Sequence, residues 1–403
     1  MAKLLYLVHR LPYPPNKGDK VRSYHLLKHL VAQGHEVHLG TFVDDPDDLR
    51  HIDTVRGLCA ALHVARLAPR QARVASLLGL ATGEALTLRY YRDAGLQRWV
   101  DHSLARGGFD GAVVFSSSMA PYVAGRADLP MLVDLVDVDS AKWSAYAANH
   151  RWPMSWLYRR EGERLLAYER AVVARAAAAF LVTDKEVALF EGLAPEVRGR
   201  VAALGNGVDA DFFAPDPARA SPFAADEPAL VFTGAMDYWP NVDAVTWFAR
   251  DVLPALRQRW PRLRLHIVGR APTPAVQALA GDAVVVTGTV PDVRPYLQHA
   301  AVVVAPLRLA RGVQNKILEA MAMARPVVAA ATCVDALTAV GGNSLLAAED
   351  AAAYQAQIDH LLSHPGLGER IGQAARHCVV AHYHWTACLA GLDRALVRLA
   401  RPA

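Results

Sequence analysis

The constraint that weighs most on this chain is a rhythm that occurs twice. Short apolar runs at residues 4–8, 36–42, 62–67, 111–115, 131–136 and 179–183 alternate with longer segments of helical period. Runs of that length fit strands buried on both faces, and helical crossovers between them imply a parallel sheet. After a stretch holding Pro215, Pro217, Pro222 and Pro228, the pattern restarts at 230–233, 263–268, 284–287, 301–305 and 326–330. The 403 residues also exceed one ordinary α/β core. The expected architecture is α/β: two Rossmann-like parallel-sheet domains facing a central cleft. Expected boundaries are 1–200 for the first domain, 201–228 for a linker, 229–375 for the second domain, and 376–403 for a terminal helix packing back on the first. Ligands of such sheets bind beyond the carboxyl ends of the strands, so the loops after these runs are where chemistry belongs.

Composition narrows the partners. Hydrophobic residues make up 53% and charged residues 20%, which excludes a disordered or fibrous chain. A net charge of only +4 argues against nucleic acid as a partner. Cys59, Cys333, Cys378 and Cys388 form no CxxC pair and read as reduced thiols, consistent with a cytoplasmic location. The apolar start is interrupted at His9, Arg10 and Pro12, so it reads as a first strand rather than a signal peptide. No charge-free apolar run reaches 18 residues, which leaves peripheral contact as the expected form of membrane association.

Two strand-to-helix connections stand out. Pro12 to Arg22 joins the first run to a helical pattern; Gly18 allows close backbone approach to a ligand, and Asp19 is a natural helix cap. A plain connection is the competing reading of that loop. We assign Gly18 to the donor side and Asp19 and Arg22 to the acceptor or cleft. In the second half, Ala305 to Ala322 runs from a strand through a basic loop into a helix beginning near Asn315. Gly312, the amides of Val313, Gln314, Asn315 and Lys316, and the cations Arg311 and Lys316 together describe an anion site. Glu319 shares their helix face and could accept both hydroxyls of a ribose. As a mere surface ion pair, Lys316 and Glu319 would contribute only about 0.3 kcal/mol.

The chain resembles glycosyltransferase family 4, retaining enzymes of the GT-B fold. The resemblance is carried by Asn206-Gly207-Val208-Asp209, Phe232-Thr233-Gly234, Ile267-Val268-Gly269, Gly288-Thr289-Val290, and Asn315-Lys316-Ile317-Leu318-Glu319-Ala320-Met321-Ala322 before Pro326-Val327-Val328. It looks closest to the branch associated with exosortase (PEP-CTERM) systems and exopolysaccharide synthesis, in which Leu11-Pro12-Tyr13-Pro14-Pro15 and the 133–143 segment also recur. The resemblance implies a nucleotide-sugar donor of UDP or GDP type as substrate, bound by the second domain. It implies no cofactor. The acceptor, a saccharide or polyprenyl-linked saccharide, would bind the first domain at the inner face of the membrane. Glu319 matches the second glutamate of the family's Glu-x7-Glu motif, whereas the first falls on Arg311. The family's two pyrophosphate cations after the first strand of the second half are replaced by Gly234-Ala235-Met236-Asp237. We therefore expect Arg311 and Lys316 to supply the phosphate charge, with Arg308 or Arg270 as a third cation, and we place Gly234 in the donor site.

Asp137 and Asp139 are the catalytic candidates, contacting sugar hydroxyls or serving as base, although Asp139-Ser140 would also suit a helix cap. Their Asp-x-Asp spacing formally permits a divalent metal, but the expectation is none. Asn206 is a cleft candidate whose Asn-Gly pair is equally a turn former. Asn241 is expected to cap a helix behind Pro240, and His9 to be a satisfied loop histidine. Between Arg151 and Arg170, aromatics mixed with arginines suit either a membrane interface or a buried helix with an arginine edge, the latter slightly favoured. Two other functions fit the same residues: a nucleotide-sugar 2-epimerase, or a non-catalytic nucleotide-sugar-binding partner.

Overall fold

The computed structural model describes residues 1–148, 150–308, 313–335, 337 and 344–399. These fall into two compact units, Met1–Gly205 with Leu389–Ala403, and Asn206–Cys388.

In the N-terminal unit seven strands form one parallel sheet in the order β3-β2-β1-β4-β5-β6-β7. They are β1 (Lys3–Val8), β2 (Glu36–Val43), β3 (Ala61–Arg66), β4 (Gly111–Phe115), β5 (Met131–Val136), β6 (Ala178–Leu181) and β7 (Val201–Ala203). From Leu4 to Val8 no residue keeps more than 1% of its surface, as a central strand covered on both faces requires. The helices used below are α1 (Gly18–Ala32), α2 (Pro69–Ser76), α3 (Leu78–Thr82), α4 (Leu86–Tyr90), α5 (Asp139–Ala148) and α6 (Met154–Arg175). Val201–Ala203, which fell in the expected linker, pair with β6 as the edge strand. The helix after Arg151 is only partly buried. Leu165, Val172 and Val173 face the core, but Trp152, Met154 and Trp156 at its start stay exposed.

The C-terminal unit repeats the plan with six parallel strands in the order β10-β9-β8-β11-β12-β13. These are β8 (Ala229–Thr233), β9 (Arg264–Val268), β10 (Val284–Gly288), β11 (Val302–Ala305), β12 (Val327–Ala330) and β13 (Leu346–Ala348). Helix α7 (Trp239–Trp247) follows β8 and α8 (Asn315–Ala322) follows β11. Leu230, Val231 and Phe232 pack with Ile267, Leu318 and Met321 in its core. The last helix, α9 (Trp385–Leu399), begins in this unit, and its residues from Leu389 onward belong to the other. There the Asp393 carboxylate meets His29 Nε2 at 2.8 Å.

In both sheets the strand order reverses direction beside the first strand, between β1 and β4 and between β8 and β11. Such switch points open a crevice at the carboxyl ends of the strands.

Candidate functional site

At the switch point of the C-terminal unit, two glycines let the loops at the strand ends pack closely on one another. Gly234 after β8 and Gly269 after β9 have φ of +154° and +157°, a region L side chains rarely adopt. A Cβ on Gly269 would run into the Gly234 carbonyl, and one on Gly234 would lie 2.7 Å from Asn241 Nδ2 and 3.1 Å from Lys316 Nζ. The two loops are joined by the Met236 amide donating to the Arg270 carbonyl at 2.9 Å.

Lys316, in the first turn of α8, donates to Asn241 Oδ1 at 2.6 Å, and its ammonium sits 4.0 Å from the centroid of the Phe232 ring. Asn241 Nδ2 in turn donates to the Ala235 carbonyl at 2.9 Å, which fixes the orientation of the carboxamide. Asn241 therefore does not cap α7. The helix starts at Trp239, and the Asn241 side chain links its first turn to Lys316. Burial pushes the Lys316 ammonium down to about 7, against the opposing charge of Glu319. Burial likewise pushes the Glu319 carboxyl up to about 7, partly offset by Lys316. Among the described residues Glu319 makes no hydrogen bond and no ion pair within 4 Å, Lys316 included. The surface ion pair considered above is thus not formed. A recessed cation with a neutral hydrogen-bond partner shares the helix with a recessed carboxylate that has none among the described residues.

The amino end of α8 adds to this charge. Gln314 precedes the helix with extended backbone and makes no side-chain cap, so the leading amides of Asn315 and Lys316 belong to the free end of the helix dipole. Val313, half-buried, packs on the core below. Arg308, expected as a possible third phosphate cation, is held by another element. Its guanidinium pairs with Asp243 on α7, Nε to Oδ2 at 3.0 Å and Nη2 to Oδ1 at 2.5 Å. Arg270 is exposed at the loop after Gly269 and makes no ion pair among the described residues. Arg311 and Gly312 lie outside the described residues.

The N-terminal switch point is built differently. Asp19 sits in the first turn of α1 rather than at its cap, which is Lys17, and its carboxylate accepts from Arg10 Nη1 at 2.5 Å and lies 3.4 Å from His9 Nε2. Burial would raise that carboxyl, but the His9 hydrogen bond and the Arg10 charge hold it well below the usual carboxylate range. His9 stacks on Phe115, and its Nδ1 is buried without a hydrogen bond among the described residues. Lys20 pairs with Asp48 at 2.8 Å, both buried. A Cβ on Gly18 would meet nothing within 4 Å, so that position has no steric need for glycine.

Arg22 corrects its expected role. It is fully buried, with Nε and Nη2 on the Asp134 carboxylate at 2.7 and 3.0 Å, so it cannot touch an acceptor directly. Asp134 Oδ1 also accepts from the Val136 amide at 3.2 Å. Val136 has φ of +68°, an arrangement costing about 1–3 kcal/mol for a β-branched residue. The Arg22–Asp134 pair thus braces the turn from which Asp137 and Asp139 project.

Those two carboxylates converge on one ammonium, Lys142 Nζ, at 2.8 and 3.0 Å, and each keeps about a third of its surface. Lys142 occupies the place a bridging cation would take. Ser140 does not cap α5. Its hydroxyl donates to Glu169 at 2.5 Å, and burial raises that carboxyl to about 8. Asn206 is half-buried at the start of the C-terminal unit. Its neighbour Gly207 is needed structurally, since a Cβ there would lie 2.9 Å from Trp385 Cα and from the Tyr383 carbonyl.

Residues 227–364 match the protein family described as Glycosyl transferases group 1. Solved structures with the same fold include sucrose-phosphate synthase from Thermosynechococcus elongatus, 18% identical with a TM-score of 0.67 over 99% of each chain. A glycosyltransferase from Rickettsia africae is 14% identical, with a TM-score of 0.66 over 100% of each. Anabaena HepE in complex with UDP is 15% identical, with a TM-score of 0.64 over 98% of this chain and 100% of that one. No curated protein matches the chain by sequence.

Proposed function

We propose that this chain, a glycosyltransferase by its C-terminal domain and GT-B by its fold, moves a hexose-type sugar from a nucleotide donor to a lipid-linked saccharide with retention of configuration. Membership of family 4 and a role in exopolysaccharide synthesis, at the inner face of the membrane, are part of the same reading. The observation that carries it is the placing, at one switch point, of Lys316 over Phe232 and of a Glu319 carboxylate that makes no hydrogen bond among the described residues. The donor diphosphate lies against the amino end of α8 and Lys316, and Glu319 accepts from the ribose hydroxyls. Likeness to a protein solved with UDP supports a UDP-type donor.

In the transfer, the bond from the sugar's anomeric carbon to the phosphate oxygen breaks and its electron pair leaves with the nucleoside diphosphate. The acceptor hydroxyl forms the new bond, and its proton passes to the departing phosphate. Negative charge grows on that phosphate in the transition state, where a fixed ammonium and helix-end amides are worth most. Asp137 and Asp139, held by Lys142, orient sugar hydroxyls. No metal or cofactor has a role in this scheme.

Calorimetric titration with UDP-, GDP- and ADP-sugars, followed by mass spectrometry of a lipid-linked acceptor and NMR of the new linkage, tests the reading. Free sugar released from donor alone would favour the epimerase instead. Saturable donor binding without transfer to any acceptor would favour the non-catalytic partner.

A further inference from the structure

The N-terminal unit carries an apolar and cationic face far from either switch point in sequence. Val74, Leu77 and Leu78, on and between α2 and α3, keep 69%, 49% and 60% of their surfaces. Trp152, just before α6, and Trp156, in its first turn, keep 81% and 53%. The two stretches are tied together. Arg160, one turn beyond Trp156, donates to the Gly79 carbonyl at 2.6 Å and to the Glu84 carbonyl at 3.2 Å. Glu161 beside it accepts from the leading amides of α4, Leu86 at 2.6 Å and Thr87 at 2.8 Å. The short helices bearing the exposed leucines are thereby fixed to the helix bearing the exposed tryptophans.

Charge on the same stretches has one sign. Residues 66–83 contain Arg66, Arg70 and Arg73, and residues 143–159 contain Arg151 and Arg159, with no Asp or Glu in either. Arg70, Arg73, Arg151 and Arg159 are exposed. Next to them the rings of Trp143, Tyr146 and Tyr158 gather within 5.5 to 6.1 Å of one another, centroid to centroid. An acidic protein would answer the arginines but leave the leucines and tryptophans in water. A second copy would bury the apolar groups but set arginine against arginine. An anionic bilayer answers both: tryptophan and leucine enter the boundary between headgroups and acyl chains, and arginine meets lipid phosphate.

We propose that this face seats the protein on an anionic lipid bilayer. The proposal deepens the reading of a lipid-linked acceptor used at a membrane, but binding to vesicles that contain neither acceptor nor donor tests it separately. The full chain is sedimented with phosphatidylcholine vesicles and with vesicles containing phosphatidylglycerol. Binding is expected to the second kind, weakened by salt, and weakened at least about tenfold by L77S/L78S and by W152S/W156S. R70E/R73E is expected to abolish the preference for the anionic lipid. All three variants replace exposed side chains, and an unchanged UDP-induced thermal shift would show them folded. Variants that sediment like the parent would overturn the proposal, as would a parent dimer that W152S/W156S converts to monomer. Vesicle binding that persists in a protein with no transferase activity would leave this surface standing and sink the transfer reading alone.

Discussion

The two sheets share one strand order but treat their switch points in opposite ways. Beside β1, Arg10, Lys20 and Arg22 each hold a carboxylate of the same unit: Asp19 with Asp44, Asp48, and Asp134. Beside β8, Lys316 has a carboxamide and a ring face, and Glu319 has no hydrogen-bonding partner among the described residues. Satisfied charges make a scaffold that resists change. Unsatisfied ones make a place whose electrostatics are completed by something that arrives.

If that contrast holds, substitutions at the two points will separate stability from binding. Arg22→Ala leaves Asp134 buried without its partner and should lower the unfolding free energy by about 3–5 kcal/mol in denaturant titration. A loss under about 1 kcal/mol would show the N-terminal pairs to be dispensable. Lys316→Ala should do the reverse, leaving the thermal midpoint near the parent's while cutting turnover about a hundredfold to a thousandfold. Unchanged turnover and donor affinity would remove Lys316 from the phosphate site.

A pH profile sharpens the same contrast. With the Lys316 ammonium lowered to about 7, its charged form is complete only below that pH, so binding a diphosphate above it takes up a proton. With Glu319 raised to about 7, its accepting carboxylate is complete only above. UDP affinity measured by calorimetry should therefore peak near neutrality, falling by up to about tenfold per pH unit on the alkaline side. Lys316→Arg should flatten the alkaline limb alone, and a flat parent profile would count against both assignments. Glu319→Gln should have the smallest effect, raising the donor KM about tenfold with little change in kcat, since it keeps the shape and loses one charge-assisted hydrogen bond.

Much of the fold could be read from apolar runs, because strands buried on both faces must be continuously apolar. The exception in the second sheet, Leu346–Ala348, is three residues long and carries too little pattern to see. The candidate site was legible where its residues are neighbours in sequence, as from Val313 to Glu319. It was not legible where partners are distant. Asn241 lies 75 positions from Lys316, and Asp134 lies 112 from Arg22. Asn241 behind a proline looks like a cap, and Arg22 in a polar loop looks exposed. Only the folded chain shows that each answers a group carried by another element. Phe232 under Lys316 was hidden for the same reason, since a strand phenylalanine reads as core.

The return of the last helix to the N-terminal unit gives the chain an order of completion. Residues 1–205 carry all seven strands of the first sheet, yet the end of α9 reaches back to them, with Asp393 at His29 and Leu399 near Gly111. During synthesis from the amino terminus, the first unit emerges first and is finished last. The entire C-terminal unit must leave the ribosome before its predecessor can close, so a chain halted anywhere in between presents an N-terminal unit still lacking its final helix.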